Sequence, residues 1–247
     1  MKKIILKLFS FYQDYNLRFN IFFISSFFLL TIISIFSYII NKGFLVFFFI
    51  FILLLLINFW ILCIIYSKKK TRNSILELIS IRNLVKKNNN LKGAEIGVYK
   101  GAYSTQILNF FESKKFLVNL NLIDPWKVDT EFKEYGVTNL ETAYQLVKKK
   151  FEKKDNVKIL RLSSFEASKR FNDNYFDFIY IDGNHDYKYV KQDLEIWFPK
   201  LKDDGIIFGD DYLRPYGVNK AVKEFAFEKK MIVQFADHGN QFYFIKS

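Results

Sequence analysis

Apolar positions repeat with two different periods along this chain, and the alternation between them outlines a fold. Short apolar runs rich in β-branched and aromatic residues, such as Phe176 to Ile181 and Gly205 to Phe208, are too short for helices and read as buried strands. Between those two, Val190, Leu194, Trp197 and Leu201 fall three or four apart, which predicts an amphipathic helix from Tyr187 onward. Strand, helix, strand in that order is a βαβ unit with a parallel pair. The same reading gives strands over Leu91–Val98, Leu117–Ile123 and Val157–Leu162. It gives helices from about Ser104 to Phe111, from Asn139 to about Lys153, over about Phe165–Phe171 and from Gly217 to about Glu228. Two closing strands, Met231–Phe235 and Phe242–Ile245, are joined through Asp237-His238-Gly239-Asn240, so the last is expected to be antiparallel. The expected architecture is therefore α/β: a doubly wound, mostly parallel, seven-stranded sheet.

The first quarter of the chain has a different pattern. No charged residue occurs from Phe19 to Asn41 or from Gly43 to Tyr66, and each span is long enough to cross a bilayer as a helix. This predicts a transmembrane hairpin, with helices over about 21–40 and 44–66, turning at Asn41-Lys42-Gly43. Lys2, Lys3, Lys7 and Arg18 lie before it and Lys68, Lys69, Lys70 and Arg72 after it. The positive-inside rule then places both termini and everything after the hairpin in the cytoplasm. The expected divisions are an amphipathic segment over 1–18, the hairpin over 19–66, a juxtamembrane helix over 67–90 and a catalytic domain over 91–247. Ser74-Ile75-Leu76-Glu77 reads as a capping box that starts the juxtamembrane helix.

The net charge of +12 comes partly from those flanks and partly from Lys148, Lys149, Lys150, Lys153 and Lys154. It fits a solvated surface with some attraction to anionic headgroups, and no nucleic-acid module accompanies it. The single cysteine, Cys63, excludes an intramolecular disulfide.

Candidate chemistry collects at the strand ends. Two strands finish in acid, at Asp182 and at Asp210-Asp211, with His185 close behind the first. Carboxyl ends of neighbouring parallel strands are where open α/β sheets bind ligands. Three carboxylates on one edge repel one another without a cation, and hard oxygen donors suit Mg²⁺. His185 is a candidate proton acceptor or a structural hydrogen-bonding residue. Glu95-x-Gly97-x-x-x-Gly101 follows the first strand, where glycine lets the backbone approach a ligand. This spacing differs from the Gly-x-Gly-x-x-Gly of nicotinamide enzymes and opposes that class. Asp124, ending the second strand before Pro125, stands where an acid can accept ribose hydroxyls, or simply form a turn.

The series AEIGVYKGAYS, LIDPW, RLSSFEA, YIDGNHDYKYVKQDLEIWFPKL and GIIFGDDY resembles the class I S-adenosylmethionine-dependent methyltransferases. It is similar in particular to the metal-dependent sugar O-methyltransferases of the macrocin O-methyltransferase type, over about Leu91 to Ser247. The resemblance implies a Rossmann-like domain that uses S-adenosylmethionine and Mg²⁺. It implies that Glu95, Gly97, Tyr99, Gly101, Ser104 and Asp124 hold the cofactor, with Ser163 and Ser164 near its adenine and Asp182 bordering it. It further implies that Asp182, Asp210 and Asp211 hold the metal, and that His185 acts as base together with Asp182. Asn184 stands where relatives often carry Asp, and Ala102 where many carry Gly. The implied acceptor is a small-molecule hydroxyl, such as that of a sugar or, given the hairpin, a glycolipid precursor. No nucleic acid partner is expected, and a homo-oligomer is allowed. Hydroxylation on the same fold and non-catalytic cofactor binding by a membrane scaffold stay open at this point.

Overall fold

The computed structural model describes residues 73–127, 139–213, 217–236 and 240–246, together with 52, 53, 55–57, 59 and 60. The chain divides into two units, Met1–Tyr66 and Ser67–Ser247. In the first unit the described residues are helical. Nearly all of the expected hairpin, the segment 1–18 and the turn at Asn41–Gly43 lie outside the described residues. Among the described residues no helix is long and apolar enough to cross a membrane. The two-span membrane placement, with termini and domain assigned to the cytoplasm, is therefore corrected. Hydropathy reports that a segment is apolar, and does not by itself make it a spanning helix. The glycolipid acceptor rested on that placement and loses that support.

The first described element of the second unit is helix α1 (Ser74–Val85). Its first residue is preceded by Asn73 at the N-cap, and no side chain caps it. The capping box expected at Ser74 is thus absent, since Ser74 already lies inside the first turn. Ile75, Leu76 and Ile79 bury one face of α1 in the domain core. Lys114 pairs with Glu77, and Arg82 with Asp204, each at 2.9 Å.

The remaining elements alternate as the apolar runs require: β1 (Asn90–Ile96), α2 (Ala102–Ser113), β2 (Leu117–Ile123), α3 (Leu140–Phe151), β3 (Val157–Leu160) and α4 (Ser164–Ser168). They continue with β4 (Phe176–Ile181), α5 (Tyr187–Trp197), β5 (Leu201–Gly209), α6 (Val218–Glu228), β6 (Gln234–Ala236) and β7 (Gln241–Ile245). A single 3₁₀ turn, Phe198–Lys200, ends α5 at Pro199, which cannot continue an α-helix.

All seven strands form one sheet in the order β3-β2-β1-β4-β5-β7-β6. β1 to β5 pair in parallel, and β7 runs antiparallel to both β5 and β6. Each face of the sheet is covered. Leu120, Leu122, Phe178, Tyr180 and Phe208 pack with α1, α2 and α3 on one side. Ile96, Ile179, Ile181, Ile207 and Phe244 pack with α5 and α6 on the other. This two-sided burial explains why β4 is buried at every position and reads as a continuous apolar run.

β5 starts four residues earlier than its apolar run suggests. Its pairing with β4 jumps from Phe176–Leu201 to Phe178–Ile206, so the polar Lys202–Gly205 stretch bulges between two paired segments.

Candidate active site

The chain runs from β1 outward to β3, then returns to lay β4 against the other side of β1. That reversal leaves a crevice beyond the carboxyl ends of β1 and β4. Register brings the strand ends level: Ile96 lies opposite both Ile123 and Ile181, and Ile181 opposite Gly209. The residues that follow, Asp124, Gly97, Asp182 and Asp210, therefore leave the sheet in one row.

Gly97 is where two of these segments meet. Its φ is +88°, and a Cβ there would stand 2.1 Å from the carbonyl oxygen of Asp182. Only glycine satisfies both constraints. The Asp182 N–H donates to the Ile96 carbonyl at 2.8 Å, which ties the start of the β4–α5 loop to β1.

Asp124 organises the β1–α2 loop. One of its oxygens accepts the Val98 and Tyr99 N–H groups at 3.0 and 2.9 Å, and the other accepts that of Trp126 at 2.7 Å. Buried Trp126 donates its indole N–H to the Tyr99 carbonyl at 2.8 Å, closing the loop from the other side. Both Tyr99 and Trp126 have positive φ, and these bonds hold them there. Gly101, at φ +68°, begins α2, with Ser104 fully buried one turn on.

Glu95 points into this region from β1 and is 1% exposed. Burial pushes its carboxyl up to about 8; the Ser104 hydroxyl draws it down, and the charges of Asp182 and Asp124 push it up. Its Oε2 has no hydrogen-bond partner among the described residues.

Beside it lies the acidic cluster. Asp182, His185 and Asp211 each offer a ligand atom, and the three atoms lie within 4.8 Å of one another. His185 Nε2 is 3.5 Å from Asp182 Oδ1 and 3.2 Å from Asp211 Oδ2, and His185 is 5% exposed. Burial raises the Asp182 carboxyl, which hydrogen bonding to His185 counteracts, while Asp210 adds to the rise and Tyr180 opposes it. Asp211 sits at φ +62°, a turn that follows Asp210 accepting the Asp211 N–H at 2.9 Å. Asp210 also accepts from the Asn240 side chain at the β6–β7 turn. The structure thus groups Asp182 and Asp211 with His185, while the Asp210 carboxylate shapes the turn that presents Asp211.

Ser163 and Ser164 serve α4. Ser163 caps the helix in a box with Glu166. Ser164 donates to buried Asp193 and accepts the Trp197 indole N–H at 2.8 Å. Burial pushes Asp193 to about 7, against the lowering effect of Ser164. Asn184 accepts the Asp186 N–H at 2.8 Å and so shapes the loop before α5. Asp237, His238 and Arg214 lie outside the described residues.

Three participants escaped the sequence reading: Tyr180, Asp193 and Asn240. Two left a signal. Tyr180 precedes Asp182 by two along a strand, hence on the same side, and Asp193 falls on the apolar face of α5 between Val190 and Trp197.

Residues 94–212 match a family model described as a methyltransferase domain. No curated relative matches the chain. Among solved structures, the O-methyltransferase NovP is similar at 15% identity and a TM-score of 0.53, over 70% of this chain and 79% of that one. An O-methyltransferase from Bacillus cereus in complex with SAH aligns over 69% of this chain and 79% of its own, at 15% identity and a TM-score of 0.45. SAH-bound methyltransferase PaMTH1 from Podospora anserina aligns over 74% and 86%, at 15% identity and a TM-score of 0.45. Residues 94–212 are thus similar to a methyltransferase domain, and the sheet they belong to has the Rossmann-like class I methyltransferase fold.

Proposed function

We propose that this domain transfers a methyl group from S-adenosylmethionine to a hydroxyl oxygen, assisted by a divalent cation such as Mg²⁺, and that a sugar hydroxyl is the acceptor. The observation that carries the reading is the level row of strand ends. It sets a buried, partly unsatisfied acid of β1, just before the glycine loop, beside two carboxylates and an imidazole. The sugar class follows the resemblance carried by the motif series and fits the chemistry, since a weakly acidic hydroxyl needs the most help losing its proton.

In this reading Glu95 and Ser104 line the inner wall of the cofactor pocket, and Gly97 and Gly101 let the loop backbone approach the bound molecule. Tyr99 forms the exposed rim. Asp124, with three of about four lone-pair positions in use, keeps capacity for a ribose hydroxyl. Ser163 and Ser164 act through α4, whose first turn they fix at the adenine side. When bound, the sulfonium supplies an electrophilic methyl carbon. Asp182 and Asp211 would hold one cation through hard oxygen donors, with Asp210 behind them holding the turn, and such a cation would supply Lewis acidity to the acceptor hydroxyl. His185 accepts the hydroxyl proton, and the carboxylates 3.5 and 3.2 Å from its Nε2 stabilise the imidazolium that results.

Incubation of the purified chain with S-adenosylmethionine, Mg²⁺ and a panel of sugars and phenols tests each part. The expected product is a sugar heavier by one methyl, formed more slowly after chelation by EDTA. Methylation of phenols alone would remove the sugar class, and a flat calorimetric titration with S-adenosylmethionine would remove methyl transfer itself.

A further inference from the structure

Strand β4 carries a hydroxyl that packing does not require. Tyr180 is fully buried, its ring 4.3 Å from that of Tyr103 and 4.9 Å from that of Phe208. Neighbouring positions on the same side of the sheet, Phe178 and Phe208, carry no polar atom, so a phenylalanine ring suits this layer. A buried hydroxyl is costly unless it has a partner. Here the partner is Asp182, two residues on and therefore on the same side of the strand: Tyr180 Oη donates to Asp182 Oδ2 at 2.9 Å. The second oxygen, Oδ1, is the one that faces His185 Nε2, at 3.5 Å. The Asp182 main chain is already held by its N–H bond to the Ile96 carbonyl.

We infer that Tyr180 is a positioning residue: its hydroxyl fixes the carboxylate of Asp182 from beneath, so that Oδ1 is presented to His185 and Asp211. The inference rests on the proposed role of that cluster as a cation site. Groups that orient a metal ligand from behind typically change metal affinity by about 10–100-fold when removed.

The test is a titration of the full chain with Mn²⁺ alone, followed by electron paramagnetic resonance, alongside calorimetry with S-adenosylmethionine and a thermal melt. Tyr180→Phe keeps the ring and is expected to weaken Mn²⁺ by about 10-fold or more, with cofactor affinity held within about twofold. Phe208→Leu, which trims the adjoining apolar ring, is expected to leave Mn²⁺ affinity unchanged. Equal Mn²⁺ affinity in Tyr180→Phe and wild type overturns the inference while leaving the cation site standing. Equal losses in Tyr180→Phe and Phe208→Leu, or parallel loss of Mn²⁺ and cofactor, overturn it in favour of general packing. A wild-type chain that binds no Mn²⁺ overturns the cation reading and this inference together, and is told apart by that measurement alone.

Discussion

One strand carries an acid at each end, and the two are treated in opposite ways. Asp177, near the start of β4, is 8% exposed and surrounded by donors. It accepts the Lys92 N–H at 2.8 Å, both oxygens take Lys202 Nζ at 2.8 and 2.9 Å, and the Asn88 amide adds a longer bond. Asp182, just past the end of the same strand, shares its space with a second carboxylate and an imidazole, and Asp210 pushes its titration further up. Charge at the first end is neutralised by the protein's own lysine. At the second, negative groups are brought together around His185. The first arrangement locks β1, β4 and β5 together; the second creates a demand for a cation or a proton. Position on a sheet edge, not residue type, decides which acid is paired off by a lysine and which is left beside another carboxylate.

The largest effect that tests this contrast is loss of turnover. Asp182→Asn or Asp211→Asn is expected to slow methyl transfer about 10²–10⁴-fold with an unchanged circular dichroism spectrum, whereas Asp177→Asn should leave turnover per folded molecule untouched. A radiolabelled methyl assay on the three variants separates the two ends. Next comes Gly97→Ala. Positive φ and a backbone contact at 2.1 Å predict a stability loss of about 3 kcal/mol, seen as a lower urea midpoint. Asp177→Ala leaves the donors around this buried carboxylate without their acceptor and should cost about 1–3 kcal/mol in the same experiment.

The smallest effect is a slope. Glu95 titrates near 8 instead of 4.5 and Asp193 near 7 instead of 3.8, both raised by burial. The folded chain then binds more protons than the unfolded one between the ordinary carboxylate range and about pH 8. Stability is therefore full below that range and declines as pH rises through it, by at most about 1.4 kcal/mol per pH unit for each group. Glu95→Gln and Asp193→Asn should each flatten the decline in urea midpoints measured from pH 5 to 8; an unchanged slope would mean these carboxyls ionise freely.

Strands and helices could be read because burial on both sheet faces leaves unbroken apolar runs, and helices packed on one side leave a three-to-four period. Those rules do not reach three kinds of feature. The start of β5 was hidden because Lys202 to Gly205 bulge out, so their polarity imitates a turn. The cap of α1 was misplaced by one residue, since both Asn73 and Ser74 are cap-forming types and only backbone geometry chooses between them. Within the site, Asp182, His185 and Asp211 could be picked out because acids and histidine at strand ends are conspicuous. The separate use of Asp210 could not, because it depends on Asn240 arriving from a distant turn. Tyr180 and Asp193 look like ordinary members of an aromatic strand and a polar helix until the fold shows what they touch. The apolar N-terminal quarter is the converse case: a strong hydropathy signal led to a location that the described helices do not support.

The missing side chain of Gly97 has a lasting consequence. Because its backbone lies directly on the carbonyl of Asp182, in the proposed reading the pocket for the donor molecule and the seat of the reacting oxygen share a partition one peptide thick. A change that widens one must narrow the other. On that reading, preference for donor and preference for recipient cannot drift independently in descendants of this chain, and efforts to retune either should begin away from that wall.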